Sequence, residues 1–213
     1  GNDATVPLGL EIKLADGWHT YWRSPGAAGL PPQIDWSKSE NDAGNLQSAV
    51  LLYPAPHRYV FYGLETVGYR EHVVFPIEAT LLKTGKALNA DVGVDLLACS
   101  SICVPKHFEL LLSLPEGPAG TSSDAALLSQ AREQLPMNPE EAGILLKSVA
   151  SDGESLTFTL ATRDMMAQPD VFIENKNNIG FGAPEVKIEP PGFTAMLKVR
   201  PVDTLPEGIT LAK

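Results

Sequence analysis

Residues 88–114 read LNADVGVDLLACSSICVPKHFELLLSL and hold both cysteines of the 213-residue chain, Cys99 and Cys103, four positions apart. Leu88 to Leu97 leads into the pair and Phe108 to Leu114 leaves it as a strand-like run, so the cysteines fall at a strand-to-strand connection. Two thiols this close can bond only where the backbone brings their Cα atoms within roughly 4.4–6.8 Å, as a short loop or hairpin end does. A ring this small removes little chain entropy, so the bond stabilises the fold less than a long-range one. Redox chemistry gains weight accordingly. The spacing leaves two alternatives open beside it, a local structural disulfide and half of a metal site. With no other cysteine in the chain, a four-thiolate zinc site is excluded within one copy.

Around this stretch, 18 Pro and 18 Gly punctuate short β-branched and aromatic runs, the pattern of many short strands joined by turns. The fold class expected is all-β. Apolar residues make up 44% and charged residues 20%, which fits a globular chain and not a disordered one. The net charge of −10 argues against nucleic acid or an anionic membrane surface, because both reward clustered Lys and Arg. Partners are expected among proteins and small molecules. No apolar run approaches the roughly 18 residues needed to span a bilayer, and Gly1-Asn2-Asp3 carries no leader signal. The sequence reads as a processed form or an excised fragment.

Before the cysteines, Val6 to Leu14 alternates as a half-buried strand and turns at Ala15-Asp16-Gly17. Trp18-His19-Thr20-Tyr21-Trp22 follows, with Trp18, Thr20 and Trp22 on one face and His19 and Tyr21 on the other. An aromatic sandwich core and the wall of a site both fit that run. Arg23 to Pro32 is expected to be a loop, Ile34-Asp35-Trp36 the start of a strand, Ser37 to Ser48 a loop and Ala49 to Tyr53 a strand. His57 to Tyr69 reads as a glycine-bounded loop displaying aromatics, and Val73 to Leu82 as a strand edged by Pro76.

Pro115 to Gly120 concentrates Pro and Gly and makes the best domain boundary, giving domains at residues 1–117 and 118–213. Thr121-Ser122-Ser123-Asp124 offers capping side chains to one helix carrying Leu127, Leu128, Ala131 and Leu135. Strand-like runs then return at Ile144 to Val149, Ser155 to Leu160, Asp170 to Glu174, Val186 to Ile188, Phe193 to Arg200 and Ile209 to Ala212. They suit a second, smaller sandwich with a structural or docking role.

Thiol–disulfide exchange needs one accessible thiolate and a second thiol that resolves the mixed disulfide. Cys99 and Cys103 supply both, and with no cofactor loop and no second dithiol the chain would relay electrons between proteins. Lys106 and His107 are placed to favour a thiolate, although solvated surface charge is the plainer reading. Copper is the rival chemistry. A thiolate pair suits Cu(I), and His57, His107, Met165 and Met166 are further candidate ligands that the sequence does not cluster. A hydrolase reading fails because no glycine elbow surrounds a serine.

Several motifs together resemble the N-terminal periplasmic region of the DsbD and ScsB group of thiol:disulfide interchange proteins, and ScsB more closely. They are Gly17 to Gly26, Gly29-Leu30-Pro31-Pro32, Tyr53 to Arg58, Phe61-Tyr62-Gly63, Gly68-Tyr69 and Cys99-Ser100-Ser101-Ile102-Cys103-Val104-Pro105. The resemblance covers roughly residues 8 to 115. It implies an immunoglobulin-like sandwich carrying the cysteines, and the fold expected is two such sandwiches joined by the Pro/Gly linker and the short helix. It also implies protein-disulfide reductase activity through Cys99 and Cys103, with Cys103 attacked or attacking first and no cofactor or metal. A membrane-embedded redox domain of the full-length protein would donate the electrons, and a periplasmic thioredoxin-fold protein, ScsC-like, would accept them. Phe61 matches the phenylalanine of an aromatic cap loop, with Tyr62 beside it. Tyr21 matches a site-lining tyrosine, His19 stands where DsbD has another, and Pro105 follows the pair. The acidic pair that precedes the cap phenylalanine in DsbD is Tyr59-Val60 here, so acid-assisted proton handling does not carry over.

Overall fold

The structure is a computed structural model that describes residues 4–61, 63–117, 120, 122–174 and 179–202. Tyr62, Pro118, Ala119, Thr121 and the expected strand Ile209 to Ala212 lie outside the described residues, as does the side chain of Phe61. The described chain is nearly all β. In order it forms β1 (Thr5–Lys13), β2 (His19–Gly26), β3 (Gln33–Asp35), β4 (Leu46–Leu51), β5 (His57–Phe61), β6 (Leu64–Arg70) and β7 (His72–Leu81). There follow β8 (Leu88–Cys99), β9 (Cys103–Leu114), the helix α1 (Ala125–Glu133), β10 (Ile144–Ser151), β11 (Leu156–Thr162), β12 (Glu185–Glu189) and β13 (Thr194–Val199). No helix among the described residues is long and apolar enough to cross a membrane.

Two compact units result. The first comprises Gly1–Arg23, Leu30–His57 and Gly68–Pro136, and the second Ser24–Gly29, Arg58–Val67 and the chain from Met137 onward. The division after Pro136 differs from the boundary expected at 117, and the helix expected to open the second domain belongs to the first unit.

In the first unit, β1 and β4 flank β7 in an antiparallel sheet, with register from Thr5↔Thr80 to Lys13↔His72. Being central, β7 is buried on both faces from Val73 to Ile77. Pro76, expected at a strand edge, stands in the middle of β7 opposite Gly9, and its carbonyl accepts the Leu52 N–H at 2.8 Å. A second sheet contains β3-β8-β2, with β9 paired to β8. Strand β8 alternates as a sandwich strand must, burying Leu88, Ala90, Val92, Val94, Leu96 and Ala98. Leu88 meets Leu46, Ala79 and Leu81 of the first sheet, and Trp36 packs against this cluster and against Ala90, Val92 and Val94. Each large apolar side chain buried there contributes about 1.5–3 kcal/mol, so this core anchors β8 from Leu88 to Val94.

Three loop expectations are corrected. Strand β2 runs on to Gly26, whose φ of 90° is open to glycine and places it 2.9 Å, at a would-be Cβ, from the Glu65 carbonyl. Strand β4 begins at Leu46, inside the stretch expected to be a loop. The aromatic stretch from His57 is a pair of strands, β5 and β6, and not a loop. In the same way β9 starts at Cys103, ahead of the expected Phe108. Helix α1 seats Leu128 on β1 where Gly9 leaves room, since a Cβ on Gly9 would lie 2.5 Å from Leu128 Cδ2.

The second unit contains the antiparallel sheet β10-β11-β13-β12, in which Ala195, Leu197 and Val199 of β13 are buried. Residues 170–174, expected to be a strand, are irregular. Arg58 explains what holds them. Its guanidinium bonds Asp170, the carbonyls of Val171 and Phe181, and Glu65, and it stacks over the Phe172 ring with 5.0 Å to the centroid.

Candidate active site

Strands β8 and β9 pair without a break from Leu88↔Leu114 to Cys99↔Cys103, so the cysteines are the last pair before the loop Ser100-Ser101-Ile102. The loop closes on itself through the Ser100 N–H, which donates to the Ile102 carbonyl at 2.8 Å. Their Cα atoms are 4.0 Å apart and a disulfide joins them, S–S 2.04 Å. Closest pairs of an antiparallel ladder stand about 4.5 Å apart, so the hairpin itself brings the sulfurs within bonding range. The pairing turns a spacing of four into a bond.

The two half-cystines have different surroundings. Cys99 is fully buried, whereas Cys103 is exposed together with Ser101 and Ile102. Strand β2 covers Cys99. Thr20 Oγ1 donates to the Leu97 carbonyl at 3.1 Å, which ties β2 to β8 one turn of pleat before the disulfide. Tyr21 Oη then donates to Cys99 Sγ at 3.0 Å and lies 4.0 Å from Cys103 Sγ. Burial pushes the Tyr21 phenol pKa up, so the hydroxyl keeps its proton and remains a donor. His19 is the direct cross-strand partner of Cys99. Its ring meets that of Tyr21 edge-on, centroids 5.3 Å apart at 77°. Burial, and secondarily the charge of Arg70, lowers the His19 pKa, so the imidazole is neutral near pH 7.

The structure therefore brings Cys99, Cys103, Tyr21 and His19 together. Pro105 sits opposite Leu97 on exposed β9 and helps wall a recess of about 210 Å³ with Leu30, Pro31 and His107. A larger groove of about 500 Å³ is lined by Leu10, Ile12, Trp18, Val104 and Phe108. The backbone of Phe61 ends β5; Tyr62 and the Phe61 side chain lie outside the described residues. His107, considered from sequence as a cationic neighbour, lies on exposed β9. Its ring is held by Asp95 at 2.8 Å and Glu109 at 3.3 Å, and these carboxylates raise its pKa and match its charge. Among the described residues no three His, Cys, Asp or Glu side chains gather into a set that would hold a metal ion. Thr20 is the site residue that sequence reading missed. Its partner carbonyl is 77 residues away, so only the pairing of β2 with β8 reveals it.

Of the two sulfurs, that of Cys103 belongs to the exposed residue and that of Cys99 to the buried, hydrogen-bonded one, an arrangement that can undergo thiol–disulfide exchange.

Comparison with known proteins agrees in kind. The family described as "Thiol:disulfide interchange protein DsbD, N-terminal" matches residues 2–115, and one described only as a domain of unknown function matches residues 134–211. Among solved structures, the N-terminal periplasmic domain of ScsB from Proteus mirabilis superposes with a TM-score of 0.76 at 27% identity, covering 93% of this chain and 75% of that one. No curated protein matches the chain.

Proposed function

Because this chain belongs to the family of the N-terminal domain of the thiol:disulfide interchange protein DsbD, we propose that it is a periplasmic protein-disulfide reductase domain working through Cys99 and Cys103. The observation that carries the reading is the asymmetry of the disulfide, with Cys103 exposed and Cys99 buried beneath the Tyr21 hydroxyl. In the reduced chain Cys103 attacks the disulfide of a thioredoxin-fold protein, ScsC-like. Cys99 then attacks Cys103, re-forms the intramolecular bond and releases the partner as a dithiol. Two electrons pass to the partner, and a membrane-embedded redox domain of the full-length protein restores the dithiol.

Tyr21 acts as the donor that steadies negative charge on Cys99, whichever way the bond is traversed. Pro105 borders the surface a partner covers. Both units are taken as immunoglobulin-like sandwiches, the second a docking platform. The test is to mix the reduced chain with an oxidised thioredoxin-fold protein and count thiols on each. Two thiols should appear on the partner as two disappear here, and Cys103→Ala should abolish the transfer. Unchanged transfer by Cys103→Ala overturns the reading.

A further inference from the structure

Ring closure by Cys99 poses a problem that the Cys pair alone does not solve. Burial in apolar surroundings favours a neutral thiol over a thiolate, yet only the thiolate attacks. Cys99 is fully buried, so something beside it has to take its proton. The side chains that approach are Tyr21, whose hydroxyl is 3.0 Å from Cys99 Sγ, and His19, which stands directly across the ladder from Cys99 and packs on the Tyr21 ring.

We propose that His19 is the proton acceptor for Cys99 in the resolving step, with Tyr21 holding the sulfur in position. This rests on the exchange reading above. Step by step, the Cys99 S–H proton passes to the His19 imidazole. The Cys99 sulfur forms a bond to Cys103 Sγ, and the Cys103–partner bond breaks with its electron pair leaving on the partner sulfur. The chain loses two electrons to the partner, and the imidazolium later returns its proton to solvent. A phenol cannot substitute, because Tyr21 is pushed towards the protonated form and offers no vacant basic site at neutral pH. The imidazole is suited to it: burial keeps it unprotonated at rest. Cys99 stands across the ladder from it, Tyr21 packs on it from its own strand, and the charge of Arg70 on β6 also favours the neutral ring.

The test uses the reduced full chain and dithiobis-nitrobenzoate, which needs no protein partner. Attack by Cys103 releases one coloured thiolate, and closure by Cys99 releases a second, so the two phases separate the steps. In the wild-type chain the second phase should be nearly flat through neutral pH and begin to fall only below the ordinary imidazole value of about 6.5, because burial lowers the His19 pKa. In His19→Phe it should slow by about tenfold or more at pH 7 and rise about tenfold per pH unit, while the first phase is unchanged. His19→Tyr, which keeps an aromatic body, should behave like His19→Phe. A second phase in either variant with wild-type rate and pH profile overturns the proposal. So does a wild-type second phase that climbs tenfold per unit throughout, a readout independent of whether the variants fold. Closure that depends on His19 in a chain inert towards thioredoxin-fold disulfides would instead refute the exchange reading.

Discussion

When a disulfide opens, one sulfur departs with the bonding pair, and at Cys99 that sulfur already accepts the Tyr21 hydroxyl at 3.0 Å. A hydrogen bond to a charged group contributes about 1.5–3 kcal/mol, and each 1.36 kcal/mol is about tenfold in rate. Tyr21→Phe, which removes only the oxygen, should therefore slow reduction of the disulfide by dithiothreitol by about tenfold or more. Stopped-flow thiol release measures it, and a wild-type rate would mean the hydroxyl is a bystander. At this scale the sequence was partly legible. A spacing of four between the cysteines was enough to suggest a bond, and the alternation His19, Thr20, Tyr21 placed His19 and Tyr21 on one face. It could not supply the Tyr21–Cys99 contact, which spans 78 residues and exists only because β2 lies against β8. Nor could it assign Thr20, a residue type that usually signals nothing, to the bond that fixes that strand pairing.

Strand β2 holds its line because β6 comes up against it at Gly68, where there is no side chain. A Cβ on Gly68 would lie 2.0 Å from the Thr20 carbonyl oxygen and 3.0 Å from Tyr21 Cα, against backbone that has nowhere to go. Gly68→Ala should cost about 3 kcal/mol or more, whereas Gly9→Ala, whose closest approach is to the flexible end of Leu128, with Val74 Cγ1 next at 3.3 Å, should cost less. Denaturant midpoints of the two variants compare them directly, and equal losses would contradict the account. Elements with clean alternation or continuous apolar runs, β1, β7 and β8, were readable within a residue or two. Those that were not share a cause: glycine and proline inside extended chain. Gly26 and Pro25 lie in β2, and Gly63, with φ at 78°, follows β5 in what read as one aromatic loop. There backbone pairing to a neighbouring strand outweighs local punctuation. Helix α1 was legible as a helix, but its allegiance to the first unit was not, because that depends on Leu128 finding the gap at Gly9.

For the whole molecule, the physical division into units follows packing, and the chain crosses between them more than once, at Arg23, Gly29, His57 and Val67 as well as Pro136. A single cut in the Pro- and Gly-rich stretch at 115–120 was the natural reading of composition. Composition is silent on segments that leave a unit and return, and Arg58, bonded to Asp170, Val171 and Phe181, is an example that no local pattern announces. The family match over residues 2–115 and the structural likeness to the ScsB domain over 93% of the chain bear on both units. They support thiol–disulfide exchange in kind, and exchange with another protein is the proposal that remains to be tested. The most direct test is a trap: Cys99→Ser, reduced and then mixed with an oxidised thioredoxin-fold protein, should accumulate a mixed disulfide that peptide mapping places on Cys103. Cys103→Ser under the same conditions should accumulate little or none. A trap formed equally well through Cys99, or none with either variant while dithiothreitol still reduces the wild-type bond, would contradict the account.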